Sequence, residues 1–278
     1  MRSFRQPAMG ALLTAPVCWE ATLPSPMNAP RERTAWLQGS GAACRTPPRA
    51  VARPSRLVLL GPPGVGKGTQ AQLLSNHTGA CALSTGDIFR NAKSSTLVRP
   101  SPAMRTAVDC MNRGELVPDD IVLRVVHERL RCLTCRGGFL LDGFPRTVAQ
   151  AGALNQLLAQ EGLVLQAALF FDLPTKTIIA RLAGRRTCLV CKSAFHLTNR
   201  PPKAAGHCDH CGGVLVQRSD DEPATVRVRL AAYAKSTAPL IADYRECGRL
   251  RTIDASGTPA EVFQRTLVVL QAPAPSKV

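Results

Sequence analysis

Residues 61–70 read Gly61-Pro62-Pro63-Gly64-Val65-Gly66-Lys67-Gly68-Thr69-Gln70, directly after the apolar run Leu57-Val58-Leu59-Leu60. Glycines at this spacing free the backbone for positive φ, so successive N–H groups can converge on an anion while a lysine adds a mobile ammonium. The chemistry such a loop serves is the gripping of phosphate groups at the start of a helix. In the pattern G-x-x-x-x-G-K-[ST] a hydroxyl follows the lysine and reaches a metal, but Gly68 occupies that place and Thr69 comes one later. The metal of a bound nucleotide is therefore expected to depend on the phosphates, water and a carboxylate elsewhere.

A second constellation is Cys188-Leu-Val-Cys191 and Cys208-Asp-His-Cys211, two C-x-x-C pairs separated by 16 residues. Two such knuckles suit one tetrahedral Zn²⁺, and a four-thiolate shell leaves no position open for substrate, so the zinc is expected to be structural. His207 and His210 lie beside the second knuckle, but the quartet is complete without them. Cys132-Leu-Thr-Cys135 is a further C-x-x-C without a partner pair and reads as incidental.

The elements that must position these groups alternate. Apolar pieces at 57–60, 81–83, 138–142, 167–173 and 251–254 read as strands, and helical patterns lie between them. Ile121, Val122, Val125, Val126 and Leu130 recur at helical spacing, Thr147-Val148-Ala149-Gln150 has the form of a capping box, and a closing helix starts near Pro259. Pro100-Ser101-Pro102 breaks any single long helix across 87–113. Strands that are apolar throughout and alternate with helices form a parallel sheet covered on both faces, with ligands at the carboxyl ends of the strands. The glycine-rich loop, Ser84–Asp87 and Asp142 all fall there.

Composition bounds the remainder. The 278 residues hold 45% hydrophobic content and no apolar run of the ~18 residues needed to cross a bilayer. A net charge of +16 points to anionic partners. Eleven cysteines without disulfide-framework spacing favour a reducing compartment. Residues 1–55 carry seven arginines against Glu20 and Glu32, together with Trp19 and Trp36, and lack a pattern long enough to fold alone. They are expected to lie outside the fold, as a transit-like extension or the product of a start set too far upstream, with Met27 an internal candidate.

Five motifs in order name a family. Gly61–Thr69, Ser84-Thr-Gly-Asp-Ile-Phe-Arg90, Leu141-Asp-Gly-Phe-Pro-Arg-Thr147, Gly184-Arg-Arg186 and Gln217-Arg-Ser-Asp-Asp221 resemble those of adenylate kinases, in the long form with a zinc-bearing lid. The resemblance covers 56–271, leaving 272–278 as a tail. It implies an α/β fold of the P-loop NTPase type, a parallel five-stranded sheet flanked by helices with two inserts. One is an AMP-binding segment at about 84–117 and the other a lid at about 184–221.

The implied reaction is ATP + AMP ⇌ 2 ADP. By matching position, Gly64, Val65, Gly66, Lys67, Gly68 and Thr69 would wrap the ATP phosphates, with Arg185 and Phe195 also on the ATP side. Thr85, Arg90, Gly143, Phe144, Pro145, Arg146 and Gln150 would hold AMP, and Glu115, Leu116 and Val117 would complete its adenine pocket. Arg218 and Arg229 would act at the AMP phosphate and the transfer region, and Asp142 would anchor the water shell of Mg²⁺. The catalytic set implied is Lys67, Arg146, Arg185, Arg218 and Arg229; Arg227 is left as surface. Arginines suit this work because the loose transition state of phosphoryl transfer spreads charge over oxygens that a planar guanidinium grips in pairs.

Two positions depart from the family: Ala194 precedes Phe195 where a hydroxyl residue is usual, and Pro100-Ser101-Pro102 replaces glycines. Alternatives remain in substrate choice, such as GTP as donor, and in a nucleic-acid-binding zinc-ribbon protein, which 4% aromatic content disfavours because few rings are available for stacking. A degenerate, non-catalytic kinase is disfavoured by the intact Lys67, Asp142 and arginine set. The expected partners are ATP, AMP and ADP, without nucleic acid or membrane, on a monomer. The expected compartment is the cytoplasm, with mitochondrion or plastid as the alternative if the extension is a transit peptide.

Overall fold

The computed structural model describes residues 34–38, 44, 53–94, 102–191 and 193–272. Most of the N-terminal extension, Pro100-Ser101 and tail residues 273–278 lie outside the described residues. In chain order the elements are α1 (Thr34–Gln38), β1 (Ser55–Leu60), α2 (Lys67–Thr78), β2 (Cys81–Ser84), α3 (Thr85–Ser94), α4 (Pro102–Arg113), α5 (Asp119–His127) and α6 (Leu130–Leu133). There follow β3 (Gly138–Asp142), α7 (Val148–Gln160), β4 (Ala167–Asp172), α8 (Thr175–Gly184), β5 (Arg185–Cys188), β6 (Ala194–His196) and β7 (Leu215–Val216). A 3₁₀ turn (Ser219–Asp221), α9 (Pro223–Ala232), a π turn (Tyr233–Thr237), α10 (Pro239–Glu246), β8 (Leu250–Asp254) and α11 (Pro259–Gln271) complete the chain.

Five strands pair in the order β2-β3-β1-β4-β8, and every pairing is parallel. Side chains alternate across the pleat, so β1 feeds two cores. Val58 and Leu60 join Leu83, Phe139 and Leu141 on one face, whereas Leu57 and Leu59 join Leu140, Leu169 and Phe171 on the other. Central strands buried on both sides have no solvent face to keep polar, which is why their sequences are continuous apolar runs. The register sets Leu59 opposite Asp142 and Leu60 opposite Phe170, bringing the strand ends level at one edge.

The lid is a separate three-stranded antiparallel sheet, β6-β5-β7, inserted between α8 and α9.

One expectation needs correction. Residues 34–38 do not lie outside the fold: they form α1, and Trp36 is completely buried in the core cluster that also holds Ile88 and Val125. Its indole Nε1–H donates to the Ser84 carbonyl at 2.9 Å, and its own carbonyl accepts from Arg129 Nε at 2.6 Å. A five-residue helix shows no periodicity, so only the lone tryptophan could have carried the signal.

Candidate functional site

At the carboxyl edge of the sheet, β1 stops at Leu60 and the chain turns through three glycines with positive φ, Gly61, Gly64 and Gly66. Two of them are also required by space. A β-carbon on Gly61 would sit 2.6 Å from the Phe171 carbonyl oxygen, and one on Gly64 would sit 2.6 Å from Leu182 Cγ. The loop is thus wedged between β4 and α8 and delivers the chain into α2 with its N-terminal amides facing the cleft. Arg181 ties it down, donating to the Val65 carbonyl at 3.1 Å and to the Ala255 carbonyl at 3.1 Å.

The cleft over this loop has a volume of about 1090 Å³. Among the described residues, eight basic side chains line it against two carboxylates, Asp87 and Asp142: Lys67, Arg90, Arg146, Arg181, Arg185, Arg200, Arg218 and Arg229. Lys67 folds back onto its own loop, its Nζ donating to the Gly61 carbonyl at 2.7 Å and the Pro62 carbonyl at 3.0 Å. Burial pushes its ammonium down to about 8; Asp142 opposes the shift, and Arg146, Arg229 and Arg185 reinforce it. Arg218 is likewise pushed down to about 9, by burial first and then by Arg90 and Arg185. Burial and the neighbouring Arg229 also lower Arg146. Cations crowded closely enough to depress one another's charge make a strong site for a polyanion.

The arginines are aimed by acceptors behind them. Asp221, buried beneath the lid hinge, takes both Nε (2.7 Å) and Nη2 of Arg185 and also Nη1 of Arg229 at 3.2 Å. Arg229 Nη1 donates as well to the Asp220 carbonyl at 2.6 Å. Arg218 Nε is held by Thr187 Oγ1 at 2.9 Å, Arg90 by Asp87 at 2.7 Å, and Arg146 Nε by the Gly143 carbonyl at 2.8 Å. The paired Asp220-Asp221 and Arg181 are the groups that sequence reasoning missed. The aspartates stood inside a quoted motif, but a carboxylate's tie to an arginine 36 positions earlier is invisible without the lid fold. Nothing in the sequence separates Arg181 from a surface charge.

Of the residues expected to bind nucleotide, Gly64, Val65, Gly66, Lys67, Gly68, Thr69, Arg90, Leu116, Gly143, Pro145, Arg146, Arg185, Phe195, Arg218 and Arg229 line this cleft. Five others are not among its lining. Gln150 is buried and spends its amide on Asp119 at 2.7 Å and its oxygen on the Arg146 N–H at 2.8 Å. Thr147 caps α7, so only half of the expected capping box forms, because Gln150 bonds the Arg146 amide rather than that of the cap. Thr85 Oγ1 donates to the Gly143 carbonyl at 2.9 Å. Glu115 pairs with Arg113 in solvent at 2.8 Å, Val117 packs against the core, and Phe144 is buried within it. Arg227 is exposed.

For the Mg²⁺ that accompanies a nucleotide, the carboxylate at the end of β3 fits. Asp142 faces the helix start, its Oδ2 3.6 Å from where a β-carbon on Gly68 would stand. Glycine there keeps the space between loop and carboxylate open for a hydrated ion.

For zinc, Cys188, Cys191, Cys208 and Cys211 place their sulfurs all within 4.8 Å of one another. Cys188 and Cys211 are 3.5 Å apart, as are Cys191 and Cys208. A tetrahedron with Zn–S bonds of about 2.3 Å has edges of roughly 3.8 Å, so the donor set fits. Gly213 lets the knuckle close: a β-carbon there would come 2.9 Å from Cys188 Sγ. Neither neighbouring histidine belongs to the cluster.

Among the described residues, no helix is long and apolar enough to cross a membrane. The adenylate kinase family model matches residues 59–249. Over 216 residues the chain is 45% identical to adenylate kinase of Carboxydothermus hydrogenoformans, covering 78% of this chain and 99% of that one. It is 47% identical to adenylate kinase of Acidothermus cellulolyticus over 216 residues, covering 78% and 98%. It is 48% identical to adenylate kinase of Moorella thermoacetica over 201 residues, covering 72% and 91%. With a loop that cradles phosphate, a cleft of convergent arginines and this extent of likeness, the chain belongs to the adenylate kinase family.

Proposed function

We propose that the chain transfers a phosphoryl group in line from ATP to AMP, giving two ADP, in the cleft between the glycine-rich loop, the AMP-binding segment (84–117) and the lid (184–221) of one kinase domain spanning 56–271. The observation that carries this is the ring of Lys67, Arg90, Arg146, Arg185, Arg218 and Arg229 around a single cleft. A loose phosphoryl-transfer transition state needs no protein nucleophile; it needs alignment and fixed positive charge.

The loop amides and Lys67 hold the ATP phosphates, Arg185 and Phe195 close from the lid, and Arg90 with Arg146 fixes the acceptor phosphate. Arg218 and Arg229 face the group in transit. Because Asp220 and Asp221 already fix Arg185 and Arg229, these guanidiniums need little reorganisation when charge develops. Bound Mg²⁺, held through water by Asp142, would neutralise charge on the donor phosphates. Thr85, Phe144 and Gln150 serve AMP by shaping the Gly143–Arg146 turn, while Leu116 and the backbone beside Glu115 and Val117 offer the base its pocket.

Zn²⁺ on the cysteine quartet keeps the lid a single body, and the protein works as a monomer without nucleic acid. The cytoplasm is the compartment this reading favours. The test is ADP formation by purified protein across ATP and GTP as donors and AMP, CMP and UMP as acceptors. ATP with AMP is expected to be the preferred pair; a preference for GTP, or for a pyrimidine acceptor, would move the chain to another nucleoside monophosphate kinase.

A further inference from the structure

The short helix α1 is joined to the AMP-binding side of the domain through the side chain and the carbonyl of one residue. Trp36 is the largest fully buried side chain among the described residues. It shares its core cluster with Ile88 and Phe89 of α3 and Ala107 of α4, and α1 packs directly on α3. Its indole Nε1–H donates to the Ser84 carbonyl at 2.9 Å. Its own carbonyl accepts from Arg129 Nε at 2.6 Å, while Nη1 of that guanidinium donates to the Val125 carbonyl at 2.8 Å and to Glu128 at 3.1 Å. Arg129 is only 4% exposed. A charge so deeply buried must have its donors taken up, and α1 supplies one of the acceptors.

Where the indole is anchored gives the contact its bearing on the site. A buried indole needs some acceptor for its N–H; the one it takes lies between β2 and α3. The strand order puts β2 at the edge of the central sheet, paired with β3 alone, so its outer side receives no support from another strand. Ser84 is its last residue, opposite Asp142, and Thr85 opens α3 directly after it. Thr85 Oγ1 donates to the Gly143 carbonyl, in the turn that bears Arg146. In the second turn of α3, Arg90 lines the cleft, braced by Asp87. A displacement at Ser84 is therefore a displacement of Thr85 and Arg90 against the 143–146 turn, and small misplacements of such groups weaken a site that works by alignment.

We propose that Trp36 is a positioning residue for the acceptor nucleotide: α1 pins the junction of β2 and α3 to the junction of α5 and α6, and so holds Arg90 in place for the acceptor phosphate. The inference rests on the proposed function for the assignment of Arg90 to that phosphate. Since α1 lies ahead of residues 59–249, the stretch that the family model matches, the brace is read from this chain's own contacts.

The test is steady-state kinetics of the full-length chain with AMP and ATP varied in turn. Trp36→Phe keeps a buried ring and removes the N–H. Its KM for AMP is expected to rise about fivefold, the equivalent of one net hydrogen bond, with kcat and the KM for ATP within about twofold of wild type. A role confined to filling the core would lower the amount of folded enzyme and leave both KM values alone. Both KM values unchanged, or the two raised together, would overturn the proposal. A wild type that prefers another acceptor fails the earlier reading and not this one, and the comparison is then made with that acceptor. A second arm needs no turnover. In the Trp19→Phe variant Trp36 is the sole tryptophan of the chain. Its emission should be that of a buried indole and should change on saturation with the acceptor nucleotide. Emission of a water-exposed indole, or emission indifferent to that nucleotide, would equally overturn the proposal.

Discussion

The central sheet and the lid sheet reach rigidity by different means. The central strands are clad on both faces by apolar side chains, with Leu57, Val58, Phe139, Leu140, Leu141 and Phe171 fully buried. The lid's cluster of buried residues is Cys188, Phe195, Cys208 and Leu215, while Leu189, Val190, Leu197 and Val214 are exposed. So few apolar groups cannot offset the conformational entropy of ordering some forty residues at about 1–2 kcal/mol each. A cross-link must supply the difference, and bound zinc can supply on the order of 10 kcal/mol. A lid that closes over substrate, as proposed, would be well built this way, since metal would give rigidity without an apolar face that would stick to the core.

Cutting the catalytic set on each side in turn sharpens the contrast most. Arg146 belongs to the core, where it is proposed to fix the acceptor phosphate, and Arg185 to the lid, where it is proposed to close over the donor; both belong to the proposed catalytic set. Each change to Ala is expected to lower kcat by about 10³-fold or more in a coupled assay. A loss under tenfold for Arg185→Ala would make the lid a cover and no more.

Removing zinc with a strong chelator comes next. It should unfold the lid, seen as rapid amide exchange across 185–216, while the exchange-protected strands of the central sheet stay protected. Protection retained in the lid after complete metal removal would contradict the contrast itself.

A third change sits at the junction. Asp221→Asn leaves Arg185 and Arg229 without their buried carboxylate, and denaturant unfolding is expected to show a loss of about 3 kcal/mol. The smallest effect concerns protons. Lys67 is lowered from 10.5 to about 8 by burial, so holding it charged costs stability at every pH below about 8, and that cost is relieved as pH rises from 8 towards 10.5. A bound polyphosphate restores the charge; nucleotide binding across that interval should therefore take up a fraction of a proton. Calorimetry in buffers of differing ionisation enthalpy reads it, and Lys67→Met should abolish it.

The sequence reading succeeded where chemistry is local. The apolar run before Gly61 and the C-x-x-C pairs carry their meaning in adjacent residues, and the strands follow because buried parallel strands must be apolar throughout. It says less where meaning depends on distant partners. Gln150 and Thr85 are occupied in bracing the 143–146 turn, which the tertiary structure alone reveals. Trp36 belongs to the core, although its neighbours in sequence give no pattern.

The most direct test of the central claim is product stoichiometry with purified protein. Two ADP should form for each ATP consumed, in strict dependence on AMP and Mg²⁺, and the yield should collapse in Arg146→Ala. ADP and free phosphate released from ATP at the same rate with and without AMP would contradict it.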